Sequence, residues 1–299
     1  MGLKKLLQRT RYHSWNFKAS TPAEVAEFYD QYNRVIAQFY GGNMHYGYWD
    51  GPDDDSSIEV AAARLTEIMI DKLRIKPGDR VLDLGCGPGK PAVQMAKTTG
   101  AQVVGVSISS KDVELAGFRA EALNLQDQLS FQVADANDLP FEPDSFDAVL
   151  ALESIVHMED RAHVLRQIAR VLKPGGRVAL TDFIQRGPIS DDEDEQRALV
   201  EMLKAWRAAP LVEIEDYVEF AQHAGLILDE TIDITQQTKY TFPYTYAAMR
   251  DQLERGAKLP PELAAILADT TAEDWKIDES VDPAEGVVIV VAHKPDQRR

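Results

Sequence analysis

The chain has 299 residues, enough to bury a full α/β core, with 49 acidic against 32 basic side chains and a formal charge of −17. So acidic a surface repels phosphate backbones and weighs against a nucleic-acid substrate, although a local basic groove would be compatible with it. The single cysteine, Cys86, leaves no intrachain disulfide and fits a reducing cytoplasm, and no run approaches the roughly 18 apolar residues of a membrane span.

Residues 1–20 form a basic, partly amphipathic lead-in carrying Leu3, Leu6, Leu7, Tyr12, Trp15 and Phe17, without the apolar centre of a signal peptide. It reads as a loose tail or a helix lying on its own subunit, as an arm packed on a neighbouring subunit of a homo-oligomer, or as a membrane contact, which the overall acidity disfavours. Thr21-Pro22-Ala23-Glu24 then starts a helix: Thr21 caps, Pro22 suits the first helical position and Glu24 closes a capping box. Val25, Phe28, Tyr29, Tyr32, Ile36 and Phe39 line one face at helical spacing. Gly41 and Gly42 break the helix before the segment NMHYGYW (43–49), and a polar loop with Asp53, Asp54 and Asp55 precedes a second helix over 57–74.

The segment VLDLGCGPGK (81–90) joins an apolar strand to a turn of alternating glycines, Gly85, Gly87 and Gly89, and a helix from near Pro91. Glycines permit a sharp turn and close approach of a ligand, and the helix start offers unpaired N–H groups, so the loop suits a nucleoside-type cofactor. A P-loop requires G-x-x-x-x-G-K-[ST], whereas Lys90 is followed by Pro91. A dinucleotide site requires G-x-G-x-x-G and a carboxylate after the second strand, where this chain has Ser107-Ile108-Ser109. Asp83, inside the first strand, makes sense if the cofactor has a free amino-acid head, because a carboxylate there anchors an ammonium group. Residues 131–136 read as a third strand ending in Asp135-Ala136, an acceptor beside a small residue that suits the amino edge of adenine. Residues 144–153 give a fourth strand and LKPGG (172–176) a turn feeding a fifth.

Strands alternate with helices from 77 to 185, the pattern of a doubly wound parallel sheet. Ser190 is expected to cap a helix with Asp191, Asp192 and Glu193 in its first turn, Ser190 and Glu193 forming a second capping box. Adjacent carboxylates on one turn splay apart, so this run is not read as a metal site and no metal is expected. Residues 190–224 read as two lid helices with Met202, Leu203, Trp206, Leu211, Tyr217 and Phe220 as apolar contacts, the second ended by Gly225. Residues 226–235 alternate as a strand, 240–268 are mostly helical, and 286–292 form a buried last strand. The expected organisation is an arm (1–20) and a single domain (21–299), built of N-terminal helices (21–74), a cofactor-binding core (75–185) and a helical lid (190–224 and 240–268).

Five elements, VLDLGCGPG, VVGVSIS, VADAND, FDAVLALES and LKPGG, occur in an order and at spacings that resemble the class I S-adenosylmethionine (SAM)-dependent methyltransferases over roughly 75–185. ALESIVHM, GKPAVQMA and NMHYGYW further resemble a natural-product, small-molecule subgroup that includes rebeccamycin-type sugar O-methyltransferases and teleocidin-type prenyl C-methyltransferases. The resemblance implies a Rossmann-like, doubly wound seven-stranded sheet of order 3-2-1-4-5-7-6 with strand 7 antiparallel, and SAM as the cofactor.

Ligands of such sheets sit beyond the carboxyl ends of the strands where strand order reverses. That crevice should collect Asp83, Gly85, Cys86, Gly87, Gly89, Ser107, Ile108, Ser109, Asp135, Ala136 and Leu152, with Asp112 the nearest carboxylate for the ribose. Cys86 is read as a small side chain in a tight loop. If the acceptor is a hydroxyl, His157, just beyond the fourth strand, is placed to remove its proton; the alternative is a structural histidine. His163 is read as a surface residue, while His45 either faces the cofactor or supports its loop. If the acceptor is an alkene carbon, aromatic faces must stabilise positive charge and a base must collect a proton. Tyr29, Tyr48, Phe183, Trp206, Tyr244 and Tyr246 are available, with Glu153 and His157 as bases. Tyr29-Asp30 resembles the opening of the N-terminal helix in cyclopropane-forming methyltransferases, which implies contact near the reacting methyl. The leading expectation is methylation of a small, largely apolar secondary metabolite at an alkene carbon of a prenyl or terpenoid side chain. The alternatives are O-methylation of a glycoside or phenol, a cyclopropane-type lipid methyltransferase, and a non-catalytic SAM-binding regulator.

Overall fold

Seven strands, β1 (Arg80–Leu84), β2 (Gln102–Ser107), β3 (Leu129–Val133), β4 (Phe146–Ala151), β5 (Leu172–Gln185), β6 (Ile227–Asp233) and β7 (Glu285–His293), form one sheet of order β3-β2-β1-β4-β5-β7-β6. The computed structural model describes residues 17–188, 192–274, 276–277 and 283–296. β1 to β5 pair in parallel, and β7 runs antiparallel to both β5 and β6, as the sequence implied. The register sets Asp83 between Gly105 on β2 and Leu150 on β4, so this carboxylate lies in the middle of the sheet.

Alternation along β1 feeds two cores. Val81 joins Leu65 and Met69 of the helix Ile58–Leu73 and Met95 of the helix Lys90–Thr99 on one face. Leu82 and Leu84 join Leu165 and Ile168 of the helix Arg161–Val171, with Tyr217 and Ala221 of the helix Asp216–Ala224, on the other. Each such buried aliphatic side chain is worth about 1.5–3 kcal/mol relative to exposure. On this second face Arg161 and Tyr217 both bond the buried Asp182, at 3.0 and 2.7 Å, joining two helices to β5. A third layer packs the helix Pro22–Phe39 (Phe28, Ile36, Phe39) against the helices Thr241–Glu254 (Tyr246, Met249) and Pro261–Asp269 (Leu263, Leu267).

The N-terminal capping box forms as read: the Glu24 N–H donates to the Thr21 hydroxyl at 3.3 Å, and the Thr21 N–H donates to the Glu24 carboxylate at 2.7 Å. Other expectations shift. β3 ends at Val133, so Asp135 and Ala136 stand in the loop beyond it. The helix expected from Ser190 begins at Glu193 and is capped by Asp192, whose carboxylate accepts the N–H groups of Asp194 and Glu195; Ser190 and Asp191 lie outside the described residues. Of the two expected lid helices, Glu193–Ala205 packs near the N-terminal layer, with Leu199, Val200 and Leu203 against Phe17 and Leu211. Asp216–Ala224 lies against Arg161–Val171 on the far face, with Tyr217 and Phe220 in the core there. Leu3, Leu6, Leu7, Tyr12 and Trp15 of the expected arm lie outside the described residues. Among the described residues no helix is long and apolar enough to cross a membrane, and no group of three or more His, Cys, Asp or Glu is placed to hold a metal ion.

Candidate functional site

A cavity of about 430 Å³ opens at the carboxyl ends of β1, β2 and β4, where the strand order reverses. Asp83, Gly85, Cys86 and Gly87 line one wall, Ser107 and Ile108 a second, and Asp135, Ala136 and Leu152 continue it. Asp83 is 1% exposed, and its Oδ2 makes no hydrogen bond among the described residues. A buried carboxylate with an unsatisfied oxygen costs stability on its own, and burial pushes its pKa up to about 7. The residues present therefore fit an ammonium-bearing ligand, which would satisfy the free oxygen and restore the charge.

Gly85 takes φ +79, and a Cβ there would stand 2.2 Å from Cβ of Ser154, whose hydroxyl donates to the Leu84 carbonyl at 2.6 Å. Gly85→Ala is expected to cost roughly 2–4 kcal/mol from left-handed strain plus overpacking. Thermal denaturation of the cofactor-free variant reads that loss directly. The segment 41–45 roofs the loop: Lys90 Nζ donates to the Gly41 carbonyl at 2.8 Å and to Glu59 at 2.7 Å, and Met44 lies over Gly87.

Asp112 lines the cavity, but both its oxygens already accept a bond, Oδ1 from Asn33 Nδ2 at 3.1 Å and Oδ2 from the Ser107 hydroxyl at 3.2 Å. Each oxygen keeps a further lone pair for a ribose hydroxyl. Burial raises the Asp112 carboxyl to about 6. Ser109 does not line the cavity: its hydroxyl donates to Asp30 at 2.7 Å and accepts the Asp112 N–H at 3.1 Å, so it is a helix cap. Gly89, the N-cap of the helix Lys90–Thr99, packs on Ala116 and Phe131 and is likewise absent from the lining. Asp135 spends Oδ1 on the backbone and side-chain amides of Asn137, both at 2.8 Å. The Cys86 thiol is buried, which pushes its pKa well above the usual range and keeps it unreactive.

His157 sits in a 3-10 turn, Ile155–His157, beyond β4 and faces the same cavity. Its Nδ1 lies 3.1 Å from the Arg207 carbonyl oxygen. A carbonyl only accepts, so Nδ1 carries the proton and Nε2 is left as an acceptor, to which the Tyr29 hydroxyl donates at 2.9 Å. Burial pushes His157 down to about 4, so the ring is neutral at physiological pH. Tyr29 lies two turns inside its helix instead of opening it, and Asp30 caps the helix Ser110–Ala122 through Ser109, Ser110 and the Lys111 N–H. Glu153 follows β4 with φ +49 and accepts the Tyr46 N–H at 2.8 Å. Burial raises its carboxyl to about 8, so it holds a proton at neutral pH and is not poised as a base.

The expected aromatic set divides. Phe183 and Trp206 line a second cavity of about 150 Å³ together with Tyr46 and Phe242. Tyr48 lines neither cavity; Tyr244 stacks on Trp49 at 5.3 Å, and Tyr246 is buried beside Arg250 in the helical layer. His45 lines the cavity and bonds the Tyr46 carbonyl at 2.9 Å, and His163 is tied to the Asn137 carbonyl at 2.7 Å. Asn33 and Arg207 enter the site with no local sequence signal, whereas Tyr46 and Ser154 lie within the motifs NMHYGYW and ALESIVHM.

The sequence matches the family described as "Methyltransferase domain" over residues 75–241. It is 39% identical over 276 residues to the 27-O-demethylrifamycin SV methyltransferase of Amycolatopsis mediterranei, covering 92% of this chain and 98% of that protein. It is 32% identical over 275 residues to the (+)-O-methylkolavelool synthase of Herpetosiphon aurantiacus, covering 91% and 94%. The solved structure of the [4+2]-cyclase SpnF superposes with a TM-score of 0.79 at 28% identity, covering 94% of this chain and 99% of that one.

Proposed function

This chain belongs to the SAM-dependent methyltransferases of natural-product type, and from that premise we propose that it methylates a hydroxyl oxygen of a largely apolar metabolite, with His157 as the base. The observation that carries the proposal is the unprotonated Nε2 of a neutral His157, which faces the cavity and accepts the Tyr29 hydroxyl there. When bound, SAM supplies an electrophilic methyl group on a sulfonium. Asp83 would hold the ammonium end and Asp112 the ribose, while Asp135, Ala136 and Leu152 would enclose the adenine side. His157 Nε2 would take the acceptor's O–H proton as that oxygen gains the methyl group and the S–CH₃ bond breaks with its electron pair left on sulfur, Nδ1–H staying on the Arg207 carbonyl. Tyr29 holds the Nε2 position until an acceptor hydroxyl replaces its own. The helices Glu193–Ala205 and Thr241–Glu254 contribute Met202, Leu203 and Phe242 to the second cavity, which supports the reading of both as a lid. Both near-full-length relatives carry an O-methyl or O-demethyl product or substrate in their names, which supports oxygen as the acceptor.

The carbon acceptor expected first from the sequence keeps one supporting observation, the aromatic wall of Tyr46, Phe183, Trp206 and Phe242. Methyl-labelled SAM tested against terpenoid alcohols, phenols and their O-methyl ethers separates the two. Label is expected on the alcohols or phenols and on none of the ethers. Equal labelling of an unsaturated ether assigns the methyl to carbon and overturns the oxygen reading.

A further inference from the structure

We infer that Arg207 is a positioning residue for the reaction: its backbone carbonyl locks His157 in the Nδ1-protonated tautomer, and its side chain anchors that carbonyl. The inference rests on the reading of His157 as the base. Arg207 has φ +56, a left-handed conformation that a side chain other than glycine keeps only when its surroundings hold it. Here the guanidinium does so: Nη1 donates to the Lys204 carbonyl at 2.8 Å, and Nη2 donates to Glu262 Oε1 at 2.9 Å across to the helix Pro261–Asp269.

The second hold is aromatic. The guanidinium lies over the Phe28 ring at 5.2 Å, Phe28 meets Tyr29 edge to face at 5.2 Å, and the Tyr29 hydroxyl donates to His157 Nε2. Both ring nitrogens of His157 thus answer to one residue, Nδ1 directly through the carbonyl and Nε2 through Phe28 and Tyr29. Glu262 depends on the same partner, because its Oε2 is buried and makes no hydrogen bond among the described residues. Losing the guanidinium would leave that carboxylate unsatisfied and free the turn that carries the carbonyl. The chemical consequence is specific. If the ring shifts its proton to Nε2, no lone pair faces the acceptor and proton removal stops.

The test is ¹⁵N-histidine NMR of the S-adenosylhomocysteine-bound enzyme, with turnover on the best hydroxyl acceptor of the panel above. It compares wild type with Arg207→Gly, Arg207→Lys and Glu262→Ala; glycine tolerates the left-handed backbone, so that variant keeps the fold. Wild type should show His157 protonated only at Nδ1. Arg207→Gly and Glu262→Ala should show both tautomers, with kcat reduced about 10- to 100-fold and cofactor Kd changed less than about twofold. Arg207→Lys should recover part of the loss. A folded Arg207→Gly enzyme with an unchanged Nδ1–H signal overturns the inference, whether or not kcat falls. If His157→Gln itself leaves kcat intact, the base reading fails, and the nitrogen spectra still decide whether Arg207 sets the ring.

Discussion

Asp83→Asn should weaken SAM binding about 100- to 1,000-fold, the cost of leaving one partner of a buried charge pair unmatched. Titration calorimetry measures the loss, and a change under tenfold would refute the assignment of Asp83 to the ammonium. The same substitution should leave the cofactor-free protein equally or more stable, because it removes a buried carboxyl with an unsatisfied oxygen. The pH dependence has a fixed sign. Burial raises Asp83 from 3.8 to about 7, so its contribution to folding is fully present below its unfolded value and is lost as pH rises through about 7. Glu153, raised from 4.5 to about 8, adds a slope of the same sign in both proteins. Binding runs the other way, since an ammonium selects the ionised carboxylate. Wild-type affinity should fall by up to about tenfold per pH unit below about 7, with proton release on binding, and Asp83→Asn should lack that dependence.

His157→Gln should lower kcat about 10²- to 10⁴-fold, the usual worth of a positioned general base, without a change in cofactor Kd. Glutamine keeps a polar group near the Arg207 carbonyl but takes up no proton. The base works unprotonated, and burial holds His157 down to about 4. kcat at saturating cofactor should therefore stay level on its acid side through neutral pH and fall only as pH approaches 4. The dependence of kcat/KM for SAM on Asp83 appears at higher pH, so the two groups separate in a single set of profiles. A kcat unaffected by His157→Gln at saturating substrates would remove the base from the scheme and shift weight to a carbon acceptor.

These two side chains differ in how far they can be read from the chain alone. Asp83 stands inside the most regular motif of the sequence, an apolar strand and glycine turn whose geometry follows from local sterics. His157 was readable as a candidate from its place after the fourth strand, but its tautomer was not. The tautomer depends on the carbonyl of Arg207, which is 50 residues away, and the acceptor nitrogen is marked by the Tyr29 hydroxyl at a separation of 128. Asn33 holds Asp112 across 79 residues, and Glu153 receives the Tyr46 N–H across 107. Ser109 shows the converse: its position beside the second strand suggested a ligand, and the helix N-terminus next to it claimed the hydroxyl instead. The acidic run near 192 showed its capping chemistry but not which residue would cap, because Asp192 and its neighbours carry equivalent short-range signals.

The glycine turn, the first helix start and the motif set were legible in the sequence, since each rests on spacing, backbone freedom or capping within a few residues, and strand order followed from the family resemblance those motifs carry. The fold alone decided which groups are charged and which nitrogen of His157 carries the proton. Burial and partners from distant elements set those properties, and a linear chain does not display either until it has packed.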